Sequence, residues 1–84
     1  MLTVRYFAGA RAAAGLAEER IPADGPSGPS LDALTRDLAA RHGPRLGQVL
    51  RVASFLVDGA TWHDRRAPLP VGATVDVLPP FAGG

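Results

Sequence analysis

Two stretches decide the fold, Leu2-Thr3-Val4-Arg5-Tyr6-Phe7 near the start and Thr74-Val75-Asp76-Val77-Leu78 near the end. Both alternate with period two, as half-buried strands do. Leu2, Val4 and Tyr6 fall on one face of the first strand, with Thr3, Arg5 and Phe7 on the other. Val75 and Val77 oppose Thr74, Asp76 and Leu78 in the last.

Working inward, Ala8 to Gly15 is Ala-rich turn or helical sequence, and Glu18 to Ile21 predicts a second strand that hairpins back on the first. Pro22 to Pro29, with three prolines and two glycines, is a surface loop. Ser30 then stands where an N-cap belongs, and Asp32 lies in the first turn, near the positive end of the helix dipole. Leu31, Leu34, Leu38 and Ala39 form one apolar stripe. This amphipathic helix should stop near His42, because Gly43 suits the position past a helix end and Pro44 cannot continue the ladder. Leu46, Val49 and Leu50 suggest a short turn packing on the core. Val52 to Val57, nearly all apolar and including Phe55, is predicted as a strand buried on both faces. Asp58-Gly59 is a tight hairpin turn into a short strand near Thr61-Trp62. Pro79-Pro80 ends any pairing after Leu78.

The order is strand, strand, helix, strand, short strand, strand, with no internal repeat. That is the α+β pattern of a β-grasp (ubiquitin-like) fold, a mixed sheet with one main helix packed on one face. A helix on a single face makes Leu2, Val4, Tyr6, Val75 and Val77 the inward set. First and last strands are parallel neighbours in such a sheet, so Phe7 and Leu78 point outward at the same end, beside the start of the tail. Two outward apolar residues there predict a contact patch.

Composition narrows the function classes. Eighty-four residues make one domain, residues 1–84, with room for one core. The net charge is +1 and all nine cationic side chains are arginine, yet Arg65-Arg66 is the only basic pair. A nucleic-acid partner wants a dense basic stripe, so none is expected. Met1 to Arg5 lacks the basic and apolar blocks of a signal peptide, and no apolar run reaches membrane-span length; a cytoplasmic location with no membrane partner is expected. The absence of cysteine excludes disulfides, thiolate catalysis and cysteine-ligated metals. His42 and His63 show no metal spacing, and Ser27, Ser30 and Ser54 sit in no nucleophile elbow. Gly25 and Gly28, set among prolines, form no phosphate loop. His63-Asp64 is expected in solvent, and Trp62 against the short strand.

The last six residues, Pro79-Pro80-Phe81-Ala82-Gly83-Gly84, form a tail whose only charge is its terminal carboxylate. Pro79-Pro80 is a stiff stem. The four residues beyond it can reach about 13 Å at about 3.3–3.6 Å per residue. Glycine passes narrow channels and adopts backbone angles closed to other residues. The Gly84 carboxylate, ionised at neutral pH, can attack the α-phosphate of ATP. A sulfur nucleophile can capture the resulting acyl-adenylate as a thiocarboxylate. A chain without cysteine can carry sulfur only at that terminus.

These residues resemble the small, sulfur-carrying subunits of molybdopterin synthase, within the ubiquitin-like sulfur-carrier family. The likeness spans nearly the whole chain. It is carried by Val4-Arg5-Tyr6-Phe7-Ala8 with Arg11 and Gly15, by Leu56-Val57-Asp58-Gly59, by Pro68-Leu69 with Gly72-Ala73-Thr74-Val75, and most specifically by Pro79-Pro80-Phe81-Ala82-Gly83-Gly84. The resemblance implies a protein that is no enzyme on its own. Gly84, preceded by Gly83, would be activated by an E1-like adenylyltransferase/sulfurtransferase. The ATP is used by that enzyme, and no cofactor is bound by this chain. The tail would then enter the large subunit of molybdopterin synthase, in a heterotetramer, and give its sulfur to cyclic pyranopterin monophosphate. Phe7, Arg11, Leu78, Pro79, Pro80, Phe81 and Ala82 would bind the partner. The Pro22 to Pro29 loop is longer than the family leads one to expect, and the lysines are missing. Carriers for cysteine, thiamine or tRNA thiolation share the Gly-Gly end and stay open as alternatives. So do a ubiquitin-like protein modifier and an inert interaction module.

Overall fold

A computed structural model of the protein describes residues 1–23 and 28–80. Asp24 to Ser27, the middle of the predicted loop, and the tail residues Phe81, Ala82, Gly83 and Gly84 lie outside the described residues. The elements run β1 (Leu2–Tyr6), α1 (Ala8–Ala14), β2 (Glu18–Ile21), α2 (Leu31–His42), α3 (Pro44–Val52), β3 (Ser54–Val57), β4 (Ala60–Thr61) and β5 (Thr74–Leu78). The five strands form one mixed sheet in the order β2-β1-β5-β3-β4. β1 and β5 pair in parallel, and the other neighbours are antiparallel. This is the β-grasp arrangement expected from the alternation.

Register explains the two faces. Val4 pairs with Val75 and Tyr6 with Val77, so the inward residues of both strands meet side by side. Leu2, Val4, Tyr6, Val75 and Val77 are all at most 2% exposed, packed with Leu31, Leu34 and Leu38 of α2, Leu46 and Leu50 of α3, and Leu69. Each such side chain contributes about 1.5–3 kcal/mol by leaving water.

α2 begins as predicted: Ser30 Oγ accepts from the Ala33 N–H at 3.1 Å, and Asp32 lies in the first turn. It ends at Gly43, whose N–H donates to the Ala39 carbonyl at 2.8 Å and whose φ of +103° disfavours any side chain. Two expectations need correction. The short turn at Leu46 to Leu50 is a nine-residue helix, which packs against both α2 and α1. Pro44, which ends α2, opens α3 at its first position, where a missing N–H costs nothing. Nor is Val52 to Val57 a strand buried on both faces. Val52 closes α3 at 63% exposure, and in β3 only Phe55 and Val57 are buried. The helices cover one face of the sheet, so among the described residues no second layer covers the other face of β3.

The Asp58-Gly59 turn has positive φ at both residues, +49° and +86°, as a two-residue hairpin requires. Asp58 also ties it to β5: its N–H donates to the Thr74 carbonyl and its Oδ1 accepts from the Thr74 N–H, both at 2.9 Å. β4 is Ala60–Thr61, and Trp62 follows it, packed on the core with its indole N–H donating to the Asp64 carbonyl at 2.8 Å. After the loop, Gly28 donates to the Leu69 carbonyl at 3.2 Å. A Cβ at Gly28 would come within 2.6 Å of that oxygen, so only glycine fits.

Candidate functional site

The site is built on the root of the tail. β5 lies at the centre of the sheet, held by β1 on one side and β3 on the other as far as Leu78, which pairs with Ser54. Phe7 N–H donates to the Val77 carbonyl at 3.3 Å across the same end. Leu78 and Pro79 are half-buried and Pro80 is exposed. The carboxyl-terminal stretch therefore leaves from a position fixed by backbone hydrogen bonds on both flanks.

Phe7 and Arg11 are brought together at this end. Phe7 follows β1 as the N-cap of α1 and is 39% exposed. Arg11 lies in the last turn of α1 and is exposed. Together with Arg5 and Ala8 they line a depression of about 250 Å³. The predicted partner-binding residues Phe7, Arg11, Leu78, Pro79 and Pro80 thus share the end of the molecule from which the tail leaves. Phe81, Ala82, Gly83 and Gly84, also predicted, lie outside the described residues.

Two features of this end escaped the sequence reading. Val52 is one, because the apolar run that contains it predicts a buried strand. It sits just before β3, whose first residue pairs with Leu78, and so adds exposed apolar surface at the root. The other is a clamp on the open face: Arg5 Nε donates to Asp76 Oδ1 at 2.6 Å and Nη2 to Oδ2 at 2.8 Å. Such bidentate pairing fixes geometry as well as charge. It leaves Asp76 only 6% exposed, two residues before Leu78, and sets Arg5 Cζ 5.7 Å from the Phe7 ring. The hydrogen bond to Asp76, and then its charge, raise the Arg5 pKa above its ordinary value. The signal was available: Arg5 and Asp76 are outward positions of strands predicted to be parallel neighbours.

On the covered side, Tyr6 Oη donates to Glu19 Oε2 at 2.6 Å, and His42 Nε2 lies 2.5 Å from the same oxygen. The Tyr6 and His42 rings meet edge to face at 6.1 Å. Burial, and then the bond to Glu19, push the Tyr6 pKa well up. The network joins β1, β2 and the end of α2. Among the described residues, no group of three or more His, Cys, Asp or Glu side chains is placed to hold a metal ion, and no helix is long and apolar enough to cross a membrane.

A β-grasp sheet with a centrally placed last strand defines a ubiquitin-like protein. The chain belongs to the ThiS family, whose model matches residues 4–84. No curated protein matches it significantly in sequence. Solved structures share its fold. A Pyrococcus furiosus protein described as molybdopterin converting factor, subunit 1, is 25% identical with a TM-score of 0.72, over 94% of this chain and 95% of that one. Small archaeal modifier protein 1 of Methanosarcina acetivorans is 22% identical with a TM-score of 0.74, over 99% and 95%. A chain in the complex of subunits 1 and 2 of the Helicobacter pylori molybdopterin-converting factor is 23% identical with a TM-score of 0.66, over 99% and 97%.

Proposed function

We propose that the chain is the sulfur carrier of a molybdopterin synthase and works through Gly84. The observation that carries this reading is the ThiS-family match running through Gly84, on a tail whose root is pinned at the sheet centre beside Phe7 and Arg11. The Pyrococcus protein described as a converting-factor subunit, and the Helicobacter complex of two such subunits, favour the molybdopterin pathway and a larger partner.

The chemistry needs no side chain of this protein. With ATP supplied by an E1-like enzyme, a Gly84 carboxylate oxygen attacks the α-phosphorus and pyrophosphate leaves. Hydrosulfide then attacks the acyl carbon and AMP leaves, giving the thiocarboxylate. In the large subunit the thiocarboxylate sulfur bonds to a carbon of cyclic pyranopterin monophosphate, displacing an oxygen substituent, and water then cleaves the acyl–sulfur bond and restores the Gly84 carboxylate. Phe7, Arg11, Leu78, Pro79 and Pro80 dock the root, while Phe81, Ala82 and Gly83 thread the tail.

The absence of cysteine makes the test clean. Protein purified from its own host is treated with a thiol alkylator, and the intact mass and carboxyl-terminal peptide are measured. An adduct on Gly84 is expected, and deleting Gly84 should abolish it with the fold intact. No adduct, even with an E1-like enzyme, ATP and a sulfur donor supplied, would overturn the proposal. The similarity to an archaeal modifier protein favours a second reading, transfer of Gly84 to a lysine of another protein. Its mark is a Gly-Gly remnant on target lysines in place of the alkylated adduct.

A further inference from the structure

The helix side of the molecule carries a charge pattern that the tail chemistry does not use. α2, α3 and residues 62–67 hold six arginines against three aspartates. Two of the six are paired, Arg41 with Asp37 at 2.9 Å and Arg65 with Asp32 at 2.8 Å. Asp64 is occupied by the backbone N–H groups of Arg66 and Ala67. Arg36 and Arg51 make no ion pair among the described residues, and both are exposed.

These two arginines face each other across a groove between α2 and α3. Its floor is Ala39, Gly47 and Leu50, and Arg65 closes the rim from the segment before β5. The helices meet closely because a Cβ at Gly47 would lie only 3.3 Å from the Ala39 Cβ. The small residues leave an apolar trough of about 180 Å³ between long cationic side chains. A cavity of about 150 Å³ already holds a benzene ring, so there is room for one apolar side chain. Arg65 is held in place by Asp32, by Thr35 Oγ1 at 3.3 Å, and by its stacking 5.4 Å from the Phe55 ring centroid.

We propose that this groove docks an acidic segment of a partner protein, with one apolar side chain on the Ala39, Gly47 and Leu50 floor and carboxylates paired to Arg36, Arg51 and Arg65. Planar guanidinium groups match carboxylates bidentately, and steering by such charges speeds encounter. A bare phosphate would gain nothing from the apolar floor. A nucleic-acid strand would want exposed aromatic surfaces, whereas Arg65 already covers Phe55. The groove shares no residue with the described part of the tail root, so a partner bound here leaves Phe7 and Leu78 open to a second one.

The test uses the full chain, labelled with nitrogen-15, and an acetylated, amidated peptide Asp-Glu-Leu-Leu-Asp-Glu as the probe. Saturable amide shifts are expected at Ala39, Gly47 and Leu50, weakening as salt rises from 50 to 150 mM. The double variant R36E/R51E, whose fold is checked by its thermal midpoint, should bind at least tenfold more weakly. Replacing both leucines of the peptide by serine should cost at least fivefold. Absence of shifts at the groove, or equal affinity in the double variant, would sink the proposal. So would equal shifts from inorganic phosphate or a deoxythymidine decamer, which would mark a plain anion site. None of these readouts involves Gly84, so the sulfur-carrier proposal stands or falls separately.

Discussion

The two faces of one sheet have opposite fates. On the covered face, Leu2, Val4, Tyr6, Phe55, Val57, Val75 and Val77 are all at most 4% exposed. On the open face, Thr3, Arg5, Ser54, Leu56, Thr74 and Leu78 are half-buried or exposed, and only Asp76 is hidden, under Arg5. Both faces are drawn from the same strands, often from adjacent residues. The covered face serves folding, and the open face, with the end that bears Phe7 and Val52, is the one proposed above for recognition. Substitutions on the first should therefore lower stability, and those on the second association.

The largest effect is expected under the sheet. Leu38 is fully buried between α2 and the strands, and Leu38→Ala leaves a cavity worth about 2–5 kcal/mol. In a domain of this size each kcal/mol moves the thermal midpoint by about 4–8 °C. A fall of less than about 8 °C would mean that the helix layer is looser than its burial indicates.

Tyr6 gives the next largest. Its pKa is raised above the ordinary value of about 10, so the folded state keeps a phenolic proton that the unfolded chain loses. Stability from this group is complete below about pH 10 and is lost as pH climbs above it, at a slope of at most about 1.4 kcal/mol per pH unit. No other side chain here ordinarily titrates between about 8 and 12, since lysine and cysteine are absent and Tyr6 is the only tyrosine. Urea melts at pH 9 and 11 should separate for the natural protein and coincide for Tyr6→Phe. An equally steep loss in Tyr6→Phe would contradict the assignment.

What the sequence revealed follows the same division. Alternation located β1 and β5 and their inward sets, and Ser30 and Gly43 bounded α2, because these signals are local. The spacing of Leu46, Val49 and Leu50 indicates a turn packed on the core but not the nine-residue helix α3, because Pro44 reads as a stop and conceals its second use as a start. The apolar run at Val52 to Val57 misled for a different reason: burial on two faces depends on whether a second layer exists, which no local pattern reports. Phe7, Leu78 and Arg11 emerged from alternation together with the family likeness. Val52 and the Arg5–Asp76 clamp needed the register between distant segments.

At the tail root the effect should move from stability to binding. Phe7→Asp places a carboxylate in the proposed docking patch, and at least tenfold weaker association with the large subunit is expected, about 1.4 kcal/mol. Phe7 is the N-cap of α1 and offers no side-chain cap, whereas Asp is a favoured cap. The thermal midpoint should thus hold steady or rise. A marked fall would move Phe7 from the contact patch into the core.

The smallest effect, and the sharpest for the comparison, concerns the one pair that makes the open face behave like an interior. Arg5 is nearly half exposed, so water screens much of its attraction to Asp76. Removing either partner nevertheless leaves unequal remnants. Arg5→Ala leaves the carboxylate without its partner and still flanked by the half-buried Leu56, Thr74 and Leu78, and an unpaired, partly desolvated charge is costly. Asp76→Asn leaves a guanidinium already facing water, and the amide can still accept one hydrogen bond. Arg5→Ala should therefore lower the thermal midpoint more than Asp76→Asn, and both less than Leu38→Ala. The double variant Arg5→Ala/Asp76→Asn should regain part of the loss caused by Arg5→Ala alone, since the stranded charge is gone. If the two single variants were equal and additive, Asp76 would be solvated like any surface carboxylate, and the open face would be polar throughout.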